Sequence, residues 1–143
     1  MDKVSQMLSV DEALTRVMAA FQILPAEQVP LTNGLGRVLA EDVTARLTQP
    51  PVAVSSMDGY AVRAVDIEGI PITLRQVGMS QAGQGFDGAI GVGECVRIFT
   101  GAPLPENADT IIIQEVTIVN GDQITIQQSA EIGADIRAAG LDF

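Results

Sequence analysis

Ser55-Ser56-Met57-Asp58-Gly59-Tyr60-Ala61-Val62 and Thr100-Gly101-Ala102-Pro103-Leu104-Pro105-Glu106-Asn107-Ala108-Asp109 are the two stretches on which the reading of this chain turns. Each sets a small polar or acidic side chain beside a glycine, at the edge of an apolar run. A rigid scaffold presents a reactive or ligating group in this way. The local chemistry leaves two readings open at each. Asp58 before Gly59 is either an Asp-Gly turn, with the carboxylate bonded to its own backbone, or an exposed carboxylate suited to Mg²⁺. Thr100-Gly101 is either a strand-ending turn enforced by Pro103 and Pro105, or a hydroxyl and small residues that let a ligand approach the backbone.

Working outward, the pattern is mostly period two beyond Gln49-Pro50-Pro51, where consecutive prolines exclude helix. Strands are expected over Ile70–Val77, Glu94–Phe99 and Asp109–Val119, the last with Ile111-Ile112-Ile113 covered on both faces. Asn120-Gly121 before Gln123–Gln127 is a hairpin signal, read as a type I′ turn. Gly83-Gln84-Gly85-Phe86-Asp87-Gly88 has the spacing G-x-G-x-x-G. A dinucleotide loop needs a helix after it, and here further glycines lead into a strand, so the stretch reads as a glycine-rich β connection. Upstream, Ser9-Val10-Asp11-Glu12 is a capping box. Val10, Leu14, Val17, Met18 and Phe21 follow at helical spacing, and Pro25 closes that helix. A short second helix is expected over Leu35–Ala40 and a strand over Glu41–Leu47. The expected fold class is α+β, mostly β: a helix/strand segment followed by a β-rich domain.

Composition narrows the chemistry. The 143 residues are 47% hydrophobic but only 3% aromatic, with no Trp. A core of Val, Ile, Leu, Ala and Met follows, which favours strands. Eight basic residues stand against 18 acidic ones, for a net charge of −10. There is no basic run, which argues against nucleic acid and anionic membranes as partners. Histidine is absent, which removes the commonest general base and metal ligand. The single cysteine, Cys95, excludes an internal disulfide and reads as a small buried hydrophobe in a strand. No apolar run is long enough to span a membrane and Met1–Val10 does not read as a signal peptide, so the expected location is cytoplasmic.

Five stretches together resemble the MoeA family, the molybdopterin molybdotransferases that include the gephyrin E domain. They are Ser9-Val10-Asp11-Glu12-Ala13, Gly36-Arg37-Val38-Leu39-Ala40-Glu41-Asp42-Val43, Ser55 to Val62, Arg97-Ile98-Phe99-Thr100-Gly101-Ala102-Pro103 running on to Glu115, and Gly133 to Asp142. The resemblance covers essentially the whole chain. It implies insertion of molybdate into adenylylated molybdopterin with Mg²⁺, in an elongated homodimer. Residues 1–50 would be part of the elongated first domain, 51–138 a β-rich second domain inserted into it, and 139–143 the start of the return. The cleft would lie between this second domain and the pterin-binding domain of the partner subunit, a domain absent from these residues. By motif match, Asp58, Thr100 and Asp142 would be the catalytic residues, with Asp58 and Asp142 as metal ligands. Ser56, Gly101 and Arg137 would bind substrate.

Metal and arginine would have to supply local attraction for anionic molybdate and pterin phosphates. Arg63, Arg97 and Arg137 are nearest in sequence. The chain departs from the family pattern at Val52-Ala53, where Phe-Asp is usual, at Asp135 in place of Asn, and at Leu141 in place of Glu. Residues 138–143 lack end-of-domain character. The expectation is therefore an N-terminal portion of the enzyme, inactive alone. The alternative is a stand-alone binding or dimerisation module that pairs with a separate pterin-binding protein.

Overall fold

The computed structural model describes residues 7–143. The chain forms two compact units, Met1–Val43 and Thr44–Phe143. In the first, α1 (Val10–Ala19) starts where the capping box requires. The Ser9 side chain accepts a hydrogen bond from the Glu12 N–H at 3.2 Å. Its apolar residues Val10, Leu14, Val17 and Met18, and Phe21 just beyond its end, are each more than half exposed. The expected helix over Leu35–Ala40 does not form. A 3₁₀ turn occupies Leu31–Asn33 instead, and Gly36 sits at φ +79°, left-handed backbone that ends any helical run there. Glu41–Leu47 alternates as a strand should, yet forms no ladder. Alternation specifies a face, and a strand also needs a neighbour to take its backbone bonds.

The second unit is built on a six-stranded mixed sheet. Its strands are β2 (Gly59–Val62), β3 (Ile72–Ser80), β4 (Glu94–Ile98), β5 (Thr110–Ile113), β6 (Thr117–Asn120) and β7 (Gln123–Ile126). Their order across the sheet is β5-β2-β4-β3-β7-β6. A separate two-stranded ribbon joins β1 (Val54–Ser55) to β8 (Ile136–Arg137). Tyr60, Val62, Leu74, Cys95, Ile112, Ile124 and Ile126 pack on one side with Ile67 from the 3₁₀ turn Ala64–Ile67. Ala61, Ile98, Ala102 and Ile111 form a second cluster. Burial of such aliphatic side chains, each contributing about 1.5–3 kcal/mol, is the main stabilising term. The molecule is mostly β, with one α-helix among the described residues.

The differences from the expected strands have local causes. Pro71 has no N–H to donate, so β3 begins at Ile72 rather than Ile70. It runs on to Ser80 through a bulge, where Gln76 pairs with Cys95 and Gly78 with Val96. Asp109–Val119 is not one strand. β5 leaves its partner after Ile113, a 3₁₀ turn covers Gln114–Val116, and β6 starts afresh. Ile111 and Ile112 are buried, as a two-faced strand requires. In the β6–β7 hairpin Asn120 pairs with Gln123, so the turn residues are Gly121 and Asp122. Only Gly121 has positive φ, the pattern of a type II′ turn rather than I′. The glycine-rich segment links the parallel pair β3 and β4 without a helix.

Candidate functional site

β2 is short and buried along its whole length, so its sequence shows no alternation. Gly59 begins it, and the Asp-Gly turn does not form. A Cβ on Gly59 would lie 2.1 Å from the Ile112 carbonyl oxygen and 2.9 Å from its carbon. The glycine is there because β5 passes directly over it. The turn that precedes β2 is closed by Ser55, whose hydroxyl donates to the Met57 carbonyl and accepts from the Met57 N–H. This leaves the Asp58 carboxylate free of its own turn.

Asp58 instead reaches across to the second stretch. Its Oδ1 accepts from the Thr100 N–H and from the Thr100 hydroxyl, each at 2.8 Å. These bonds, the backbone one foremost and then the hydroxyl, hold the Asp58 carboxyl below the usual Asp value against a smaller opposing desolvation, and Arg97 adds to the lowering. Among the described residues no hydrogen bond falls on Oδ2, and no unbonded side-chain oxygen is buried, so this oxygen of a partly buried carboxylate remains accessible. On the other side of Asp58, its backbone carbonyl accepts from the Gln114 N–H at 3.1 Å.

Ser55 and Ser56 stitch the surrounding segments together. Gly101 N–H donates to the Ser55 carbonyl at 2.8 Å, and Ser55 N–H donates to the Ala102 carbonyl at 3.0 Å. The Ser56 N–H and hydroxyl both donate to the Asp135 carbonyl, at 2.9 and 3.0 Å. Asp135 stands at φ +57°, a left-handed conformation that Asp and Asn tolerate better than most residues. Gly101, at φ +79°, is exposed and presents backbone without a side chain. The structure thus brings Asp58 and Thr100 into direct contact and ties Ser56 and Gly101 to the same turn.

Arg137 and Asp142 form their own pair, Nη2 to Oδ1, at 2.5 Å. Arg137 lies opposite Val54 in the β1–β8 ribbon. Asp142 N–H donates to the Gln49 carbonyl at 2.9 Å. No hydrogen bond joins Asp58 to Asp142, and no group of three His, Cys, Asp or Glu gathers into a metal cage among the described residues. Of the arginines nearest these motifs, Arg63 pairs with Asp66 at 3.6 Å and Arg97 bonds neutral partners. Cys95 is fully buried, and burial pushes its thiol up to about 12, so it is no nucleophile. A cavity of about 620 Å³ lies apart from Asp58 and Thr100, lined by Ile67, Glu68, Asp109, Glu131 and Ile132 among others. Asp109 there caps the Ala64 N–H at 2.7 Å, a structural role.

Sequence reasoning missed β1, β2 and β8, and with them Gln114 and Asp135 as partners of the site. The apolar Tyr60-Ala61-Val62 run was the available signal for β2. Only the fold puts Gln114 and Asp135 beside Asp58 and Ser56.

Comparison with known proteins places the chain in a family. The family model described as MoeA N-terminal region (domain I and II) matches residues 8–143. A molybdopterin molybdenumtransferase of Staphylococcus aureus (strain MRSA252) is 34% identical over 137 residues, covering 93% of this chain and 33% of the relative. The crystal structure of the molybdopterin biosynthesis moeA protein from Pyrococcus horikoshii OT3 superposes with a TM-score of 0.71 at 32% identity, over 81% of this chain and 32% of that one. A second structure, of the molybdopterin biosynthesis moea protein from Pyrococcus horikosii, gives a TM-score of 0.67 at 36% identity, over 96% of this chain and 36% of that one. The chain therefore spans about a third of the length of these relatives. No described helix is long and apolar enough to cross a membrane. With the fold, both central motifs and the family match in agreement, the chain belongs to the family of the MoeA N-terminal region.

Proposed function

We propose that these residues act as the N-terminal region of a molybdopterin molybdenumtransferase, in the cytoplasm, and that Asp58 and Thr100 line its reaction cleft from this side. The observation that carries the reading is the Asp58–Thr100 pair, which joins the two stretches that resemble the family most closely. The substrates are adenylylated molybdopterin and molybdate, and AMP leaves. The curated relatives carry the transferase name, which supports the same reaction here. The stand-alone module has no comparable support.

The residues fit Mg²⁺ as an oxygen-liganded ion. One or two carboxylates, several waters and substrate phosphates are its usual shell. Asp58 would offer its unbonded Oδ2, and Asp142, paired with Arg137 and brought in by motif match alone, would be the second carboxylate. When bound, the ion neutralises and polarises phosphoryl oxygens. The chain's own groups do the rest. Thr100 fixes the Asp58 carboxylate and keeps it charged. Gly101 lets the substrate approach the backbone closely. Ser56, its proton committed to the Asp135 carbonyl, presents lone pairs, and Arg137 orients Asp142.

The β-rich unit is read as an insertion into an elongated first domain. Its entry and exit run side by side, which supports this. Gly140 N–H donates to the Pro50 carbonyl and Gln49 N–H to the Phe143 carbonyl, at 2.9 and 2.8 Å. The exposed apolar residues of α1 support pairing with a second copy. A clean monomer by light scattering at every concentration would count against that pairing. The reaction itself is tested by disrupting the gene in its own cells. Adenylylated molybdopterin should accumulate while molybdenum-loaded cofactor disappears, and the intact gene should reverse both. Unchanged cofactor after disruption would sink the proposal.

A further inference from the structure

We propose that Arg97 is a positioning residue, a brace that fixes the Asp58 turn from behind rather than a contact for anionic substrate. Arg97 lies on β4, directly opposite Tyr60 of β2. Its guanidinium carbon sits 5.2 Å from the centre of the Tyr60 ring and 4.7 Å from that of Phe99. Two aromatic faces thereby hold the planar cation in place. From there Nη1 donates to the Gly59 carbonyl at 3.0 Å, and Nη2 donates to the Gln114 side-chain oxygen. Gln114 in turn donates its backbone N–H to the Asp58 carbonyl.

The result is a closed loop of contacts: Arg97 to Gly59, Gly59 to Asp58 through the chain, Asp58 to Gln114, and Gln114 back to Arg97. The Asp58 backbone is pinned on both sides, and its side chain takes both of its hydrogen bonds from Thr100. Arg63 and Arg137 each carry a carboxylate partner. The partners of Arg97 among the described residues are neutral. A lysine cannot reproduce this arrangement, because the rigid fork of donors and the flat stacking surface belong to the guanidinium.

The inference rests on the reading of Asp58 as a site residue, but its test reads geometry alone and does not require the molybdopterin reaction to occur. Amide hydrogen exchange is measured by NMR on the chain and on Arg97→Met, Arg97→Lys and Gln114→Ala. In Arg97→Met the Thr100 and Gln114 amides should exchange about tenfold faster, while those of Leu74, Ile124 and Cys95 keep their protection. Arg97→Lys should recover only part of the difference. Unchanged exchange at Thr100 and Gln114 overturns the proposal, and so does a uniform acceleration across the sheet, which would mark Arg97 as merely structural. If Arg97→Met does not fold, Gln114→Ala decides. It removes the Nη2 partner while keeping the backbone N–H, and selective loosening at Thr100 supports the brace, whereas its absence refutes it.

Discussion

Gly59→Ala is the substitution that most directly tests why the Asp58 turn has its shape. The added Cβ would meet the Ile112 carbonyl oxygen at 2.1 Å and Ile113 Cα at 3.1 Å, whereas ordinary contact begins near 3.4 Å. The obstacle is backbone, so no side-chain rotation relieves it. β5 must retreat from β2 by roughly 1 Å, which parts the ladder at Tyr60–Ile112 and Gly59–Ile113. Two weakened ladder bonds at about 1 kcal/mol each, with about 1 kcal/mol more for loosened packing around Ile111 and Ile112, come to about 3 kcal/mol. For a domain of this size that lowers Tm by about 12–24 °C. The comparison is Gly78→Ala. Its Cβ would meet the Phe86 ring at 2.2 Å, but that side chain can swing aside, so the change should stay within about 1 kcal/mol. Thermal melts and urea titrations of the two variants read the difference. A Gly59→Ala protein that melts within a few degrees of the parent would refute the account of close backbone approach.

Other outcomes follow from the same contacts. Thr100→Val removes the hydroxyl bond to Asp58 but keeps the backbone one, so the Asp58 carboxyl should titrate nearer the usual Asp value by carbon-detected NMR. Because its folded pKa is lowered, the charged form favours the fold above the unfolded pKa, and that contribution is lost as pH falls through the folded value. The variant should therefore be less sensitive to pH across that window, and an unshifted titration would contradict the assignment. At Asp135, φ +57° makes Asp135→Val unfavourable by about 1–2 kcal/mol, whereas Asp135→Asn should be nearly neutral. Equal melting temperatures for those two variants would show that the left-handed conformation is not maintained.

Strands β3, β4 and β7 and the two candidate-site motifs can be picked out from the sequence, which fails where long-range contact decides the outcome. β4 carries Cys95, Val96 and Ile98, β7 alternates polar residues with Ile124 and Ile126 after a turn signal, and α1 carries its cap in Ser9 and Glu12. Those signals are local. Gly59 looks like half of a turn because its real constraint, the Ile112 carbonyl, lies far along the chain. β1 and β8 are two residues each and form only through long-range partners, one another and, for β1, the segment around Pro103. Glu41–Leu47 shows the converse: it has strand periodicity and no ladder. At the site, Asp58 and Thr100 could be nominated from their neighbours. Their direct contact, and the brace of Arg97 and Gln114 behind them, depend on the register of β2 between β4 and β5.

The most direct test of the central claim is to place Asp58→Asn in the gene at its own locus and measure molybdenum-loaded cofactor in the extract, with Asp122→Asn in the β6–β7 turn as control. The Asn side chain keeps the size and can still accept from Thr100, but it lacks the charge. The account predicts that cofactor falls at least about tenfold at unchanged protein level, while Asp122→Asn behaves as the parent. Full cofactor content with Asp58→Asn would contradict the assignment of this carboxylate to the site.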